Sequence, residues 1–197
     1  MSDAHGDVEP SADKKDREGR ILDAVLRLLS QKGIAGVSIR AVAREAGVAL
    51  GLVNYYYDDK VGLIAAALKR IEEQDIALVS PADHGDAEAR LRAALRRVAE
   101  PEFLTTEYLS LRLQLWALAQ AHEQFGQINV DAQKRYRAGL ASLIRGARPD
   151  LTAREGAKRA ADVDVIQNGM WLTALLGLDR ASLRRAVRRC EEIALAP

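Results

Sequence analysis

The sequence predicts an all-α protein of about nine helices, with a small N-terminal three-helix unit followed by a larger helical bundle. Three observations carry this. Ala, Leu and Arg dominate, and only five prolines interrupt 197 residues. Apolar residues recur at the i, i+3, i+4 spacing of helices buried along one side. Turn residues gather at few places, above all in "SPADHGD" (80–86), where Pro, Gly and Asp together mark a boundary.

Composition bounds the class. A chain that is 48% hydrophobic and 29% charged can bury a core, and belongs with globular proteins. The single cysteine excludes an internal disulfide framework. No N-terminal apolar segment suggests secretion, and no apolar run approaches the roughly 18 residues of a membrane span; a cytoplasmic protein without membrane association is expected. Residues 1–13 hold four acids and no Lys or Arg, whereas residues 14–60 hold nine Lys/Arg against six Asp/Glu. A modest positive excess thus follows an acidic segment, residues 1–15, that is expected to be a disordered tail.

The elements follow in order. From about Asp16, Ile21, Val25, Leu28 and Leu29 mark an amphipathic helix that ends near Lys32-Gly33, with glycine as C-cap. Ser38 is a plausible N-cap for a short helix carrying Ile39, Val42, Ala43 and Ala46, stopped by Gly47. A second short segment, "ALGLVNYYY", comes next, and Asp58 or Asp59 can cap a longer helix through Leu63, Ala67, Leu68 and Ile71. Beyond the boundary come helices near 86–99, 105–121, 124–146, 153–177 and 180–195. Pro101 breaks the first, Thr152-x-x-Glu155 forms a capping box, and Gly177 with Asp179 separates the last two. The domains expected are 16–60, a connecting helix 61–79, and 80–197.

Two short helices joined by a glycine-containing turn form a helix-turn-helix. The crossing needs a small residue midway along the first helix, which Ala43 supplies, and a turn residue with positive φ, which Gly47 supplies. Val42, Val48, Val53 and Tyr56 fall where the helices must be held together. In "GLVNYYYDDK" (51–60), three adjacent rings cannot all face one core from a helix, since neighbours differ by about 100°. At least one of Tyr55, Tyr56 and Tyr57 therefore faces solvent or a partner, and the partner a helix-turn-helix offers is double-stranded DNA.

Residues 20–68, "GRILDAVLRLLSQKGIAGVSIRAVAREAGVALGLVNYYYDDKVGLIAAAL", resemble the DNA-binding domain of the tetracycline-repressor (TetR) family. The family run of helix, KG, S/T, I-A-x-x-A-G-V, x-x-G, an aromatic pair, K and x-x-L lies on this chain without a gap. The resemblance implies that Ser38 lies near a phosphate and Arg40 is directed at a base edge or phosphate. It implies that Ala49, Leu50 and Gly51 come closest to the bases, that Tyr55 reaches the DNA, and that Lys60 meets a phosphate. Tyr56 would be core and Tyr57 mostly core. With no Lys or Arg on the recognition helix, Asn54, Tyr55, apolar contact from Ala49 or Leu50 to thymine methyls, and Arg40 would have to read the bases. Asp58 and Asp59 replace commoner pairs, and Asp59 as an N-cap would direct its charge at backbone N–H groups.

More than 110 residues remain to dimerise, to sense, or to do both. Helices 153–177 and 180–195 carry small and apolar stripes. Ala161, Val165, Gly169, Thr173, Leu183, Val187 and Cys190 are the homodimer candidates, although the same stripes can pack internally. "RLQLWALAQAHE" and "VIQNGMWLTALL" are similar to helices of the choline-responsive repressor subgroup, which implies a small-molecule effector. Tyr108, Gln114, Trp116, His122, Phe125, Asn168, Met170 and Trp171 are the ligand candidates, with either tryptophan also at home in a core. Asn168 stands where the subgroup has an acid, which counts against a cationic ligand.

Catalysis finds little support. His5, His84 and His122 are far apart, no metal spacing occurs, and neither a phosphate loop, a dinucleotide pattern nor a nucleophile elbow is present. Cys190 lies on an apolar stripe and reads as a buried hydrophobe. No cofactor or metal is expected, and the protein is not expected to be an enzyme. The expectation is a ligand-responsive repressor that binds a palindromic operator as a dimer. The alternative is a helical protein-interaction module that does not read DNA.

Overall fold

The computed structural model describes residues 10–80, 85–177 and 179–197. The expected tail residues 1–9, with His5, and most of the 80–86 boundary, with His84, lie outside them. Nine α-helices and two short 3-10 turns are present among the described residues, with no strand. The chain divides into two compact units between Ala67 and Leu68.

The first unit contains α1 (Pro10–Lys32), a 3-10 turn (Ile34–Gly36), α2 (Ile39–Ala46), α3 (Leu50–Tyr56) and the start of α4 (Lys60–Leu78). α1 begins at Pro10, six residues ahead of the expected start, so residues 10–15 are helical and not part of a disordered tail. Proline suits a first helical turn, where its missing N–H costs nothing. Ile21, Ala24, Val25, Leu28 and Leu29 bury one side of α1, and Val42, Ala43, Val53, Leu63 and Ile64 complete the core of the unit. At seven residues α3 is too short to be stable alone. Complete burial of Val53 contributes about 1.5–3 kcal/mol to holding it.

The turn between α2 and α3 depends on Gly47, whose φ of 65° is left-handed. That conformation lets the Val48 N–H donate to the Ala43 carbonyl at 3.0 Å and closes the end of α2. Ser38 accepts from the Ala41 N–H at 3.1 Å, and Asp59 accepts from the Gly62 N–H at 2.7 Å, so both caps form where the sequence places them.

The second unit holds the rest of α4, α5 (Ala87–Arg97), a 3-10 turn (Pro101–Leu104), α6 (Thr106–Ala121), α7 (Glu123–Ala147), α8 (Ala153–Leu175) and α9 (Arg180–Leu195). α7 is central and packs against α5, α6 and α8. Close approach of α7 to the end of α4 requires Gly139, where a Cβ would come within 2.9 Å of the Val79 side chain. The core gathers Leu91, Leu95, Leu109, Leu140, Ile144, Val163, Met170 and Trp171. Thr152 and Glu155 form the expected capping box, and Asp179 caps α9 through the Ser182 N–H.

Candidate functional site

The exposed side of the helix-turn-helix is built by α2 and α3. Val53 and the half-buried Leu52 and Tyr56 face inward, which leaves Ala49, Leu50, Gly51, Asn54 and Tyr55 outward. Tyr55 is 75% exposed, with its ring set edge-on to Tyr56 at 5.3 Å. Ser38 and Arg40 are also exposed, and Arg44 follows Arg40 by one turn of α2. Neither arginine has an ion-pair partner among the described residues, whereas Arg27 is paired with Glu45 at 3.0 Å. A Cβ at Gly51 would meet nothing within 4 Å, so the bare backbone there leaves the approach to the helix open.

Two expectations need correction. Tyr56 and Tyr57 are half-buried and not core, because their hydroxyls reach the flank of α1. The Tyr56 hydroxyl lies 3.5 Å from the Lys14 carbonyl, and the Tyr57 hydroxyl donates to Glu18 at 3.3 Å. Lys60 donates to the Ile34 carbonyl at 2.7 Å, which ties α4 to the 3-10 turn and leaves the ammonium two further donors.

The second unit contains a buried polar cluster that sequence reasoning missed. Arg112 is buried on α6, paired through Nη1 with Asp75 and, at 3.7 Å, with Glu72. The Tyr108 hydroxyl donates to the other oxygen of Asp75. The guanidinium lies 5.4 Å from the Trp116 ring centre and 5.1 Å from that of Trp171. Beside it the Tyr136 hydroxyl donates to Gln167 at 2.7 Å, and Asp164 accepts from Arg137 at 2.7 Å and from Asn168 at 3.1 Å. Burial raises the Asp75 carboxyl against the pull of Arg112 and the Tyr108 hydroxyl. Burial, and then the charge of Asp75, pushes the Tyr108 hydroxyl far up, which keeps it a donor. The available signal was Arg112 itself, a charge set among Leu109, Leu111, Leu113 and Leu115.

Of the ligand candidates, Tyr108, Trp116, Asn168 and Trp171 are brought to this cluster. Trp171 also serves the core, donating to the Val98 carbonyl at 2.8 Å. Met170 is buried core, and Gln114 is half-buried away from the cavity beside Arg112. His122 is exposed and forms an edge contact with buried Phe125 at 5.1 Å, and neither lines that cavity. The reason is local: His122 has left the helix, with extended backbone between α6 and α7.

Among the dimer candidates, Val165, Gly169 and Thr173 are exposed on α8, and Ala161 is half-buried. Leu172 and Leu176 extend the same stripe, with Leu176 79% exposed. On α9 the expectation needs correction for Cys190, which is only 2% exposed. Leu183 and Val187 are half-buried, packing on the core of their own chain and lining an open groove. Helical spacing alone does not tell an inward stripe from an outward one.

An exposed recognition helix on a helix-turn-helix, carried by a chain with a second helical unit, defines a DNA-binding transcriptional regulator. Comparison with known proteins makes this specific. Residues 21–67 match the family model for bacterial regulatory proteins of the tetR family, and residues 87–195 match that for the BetI-type transcriptional repressor C-terminal domain. This chain belongs to the TetR family of transcriptional regulators, with a C-terminal domain of the BetI type.

The HTH-type transcriptional regulator BetI of Cronobacter sakazakii is 30% identical over 164 residues, covering 81% of this chain and 80% of that one. BetI of Escherichia coli O139:H28 is 28% identical over 165 residues, covering 81% and 83%. A crystal structure of a transcriptional regulator from Pseudomonas aeruginosa superposes with a TM-score of 0.78 at 26% identity, covering 95% of this chain and 90% of that one. One from Saccharomonospora viridis, in complex with choline, has a TM-score of 0.68 at 21% identity, covering 90% and 95%, a likeness in fold alone. No helix among the described residues is long and apolar enough to cross a membrane.

Proposed function

We propose that this regulator represses transcription in the cytoplasm by occupying a palindromic operator as a homodimer, and that a small molecule entering the second unit releases it. The observation that carries the DNA part is the outward face of α3. Its polar and aromatic tips, Asn54 and Tyr55, are exposed, as is Arg40 on α2. Leu50, Gly51, Asn54 and Tyr55 read base edges and methyls, while Ser38, Arg40 and Lys60 meet the backbone. The exposed stripe of α8 supports pairing with a second copy, and two-fold symmetry sets the recognition helices about one helical turn of DNA apart, 34–36 Å, or a multiple. Release follows if the ligand binds the off-DNA state more tightly; equal affinity for both states shifts nothing.

The test is fluorescence anisotropy of the full chain on duplex from its own upstream region, titrated over salt beside a scrambled duplex. A preference on the order of 10³ with a steep loss of affinity in salt is expected, and Arg40→Ala should make the salt slope shallower by about one. Equal weak binding of both duplexes at low salt would remove the operator and turn the exposed face towards a protein partner. Choline, the ligand of the Saccharomonospora viridis regulator, is the natural first compound for a release assay.

A further inference from the structure

The start of α1 is the part of the first unit that the helix-turn-helix does not account for. Ile21, Leu22, Val25, Leu28 and Leu29 form the buried stripe of this helix. Seven residues ahead of Ile21 and Leu22, about two helical turns, Lys14 and Lys15 stand at the same two positions of that stripe. Both lysines are exposed, and neither ammonium has an ion-pair partner among the described residues. The packing face of α1 thus runs past the core and ends in two unpaired cations. Beside it lies the end of α3. The Tyr56 hydroxyl is 3.5 Å from the Lys14 carbonyl, and Tyr57 donates to the half-buried Glu18 at 3.3 Å. Tyr55, 75% exposed, meets Tyr56 edge-on with ring centres 5.3 Å apart. One ring and one hydroxyl therefore separate Lys14 from the outward face of α3. The acids nearby do not cancel the lysines. Asp16 pairs with Arg20 at 3.6 Å, Glu18 takes the Tyr57 hydroxyl, and Asp59 caps α4. Asp58 is exposed, without an ion-pair partner among the described residues, one charge against two.

We propose that the start of α1 is a second arm of the DNA interface, in which Lys14 and Lys15 meet backbone phosphates beyond the base pairs that α3 reads, held there by Tyr56 and Tyr57. This arm rests on the DNA reading above and widens its contact surface. Each strand carries a phosphate about every 3.4 Å along the duplex axis, so a flexible ammonium near Tyr55 meets one without a fixed register. Lysine suits the task, being a mobile point charge with three donors and no preference among bases. The arm adds affinity and leaves sequence choice to α3. Tyr56 and Tyr57 are positioning residues, acting through the helix that they hold.

The full chain is titrated onto operator and scrambled duplexes over a salt series. Lys14→Gln combined with Lys15→Gln should make the plot of log affinity against log salt shallower by about two, because each phosphate contact contributes about 0.9 to the slope. Affinity at moderate salt should fall on the order of tenfold for both duplexes, with their ratio unchanged. Lys14→Arg with Lys15→Arg should keep the wild-type slope. Lys134→Gln with Lys158→Gln removes two exposed cations of the second unit and should also keep it. Tyr56→Phe should weaken binding in the wild-type chain and add no loss in the chain that lacks both lysines, as coupling requires.

A wild-type slope in the glutamine pair overturns the proposal and leaves the lysines as solvated surface. A loss confined to the operator also overturns it, as does a loss shared by the arginine pair, since either traces the effect to the fold of α1. Equal losses from Tyr56→Phe in both backgrounds overturn the holding role of that ring. Equal weak binding of both duplexes by the wild-type chain removes the operator and not the arm, whose contribution is then read from the slope on either duplex.

Discussion

Glu72 is buried against Arg112 and Asp75, and desolvation, ahead of the pull of Arg112 and the push of Asp75, raises its carboxyl from 4.5 to about 7. Between those values the folded protein holds a proton that the unfolded chain has released. The stability tied to this proton is fully present below 4.5 and is lost as pH rises through about 7. Melting temperature measured from about pH 5 to about pH 8 should show that decline, and Glu72→Gln, which cannot ionise, should flatten it. Unchanged slopes in the variant would assign the decline to another group. Residues of this kind are the hardest to read from sequence. Glu72 and Asp75 stand in "RIEEQDIALV" beside acids of the same type, and only the fold selects which carboxylates go inside. Tyr55 was legible for the converse reason, since three adjacent rings on a helix must leave one outside.

At the scale of elements, the α2–α3 turn rests on one backbone angle. A Cβ at Gly47 would meet nothing within 4 Å, so Gly47→Ala tests conformation alone. A φ of 65° costs an alanine about 1–2 kcal/mol, and denaturant unfolding should report a loss of that order. A melt equal to wild type would show that the turn rearranges without strain. Helix ends such as Thr152 and Asp179 were legible because their caps are local chemistry written in adjacent residues. The start of α1 was not, because "PSADKKDRE" has no apolar period. Its early turns, at Lys14 and Glu18, are held from a distance by tyrosines on and just after α3, a tertiary contact invisible to periodicity.

For the molecule as a whole, the assembly proposed above rests on the outward stripe of α8. Val165, Leu172 and Leu176 expose apolar surface at one helical face, with Gly169 between them allowing close approach. Val165→Glu combined with Leu176→Glu should yield a monomer in sedimentation velocity, with an unchanged far-ultraviolet spectrum and operator affinity lowered by loss of the second half-site. A dimer that survives both charges would place the interface elsewhere. The candidates on α8 and α9 differ in exposure, which periodicity cannot report, because an apolar helical stripe has the same period whether it meets its own core or another chain. Only the fold reports that Cys190 turns inward while Leu183 and Val187 stay half-buried.

Cys190 has a further consequence for how the protein opens. It is the chain's one cysteine, 2% exposed, and burial followed by the charge of Glu191 pushes its thiol up to about 12. Thiol reagents attack the thiolate and need access to the sulfur. In the native protein both conditions fail together, and they are restored only when α9 lifts from the bundle. Modification by a colourless disulfide reagent that releases a coloured thiol should therefore be slow in buffer and rapid in denaturant. At saturating reagent the native rate counts the openings of α9 one by one, so an unaltered side chain serves as a clock for the breathing of the C-terminal helix.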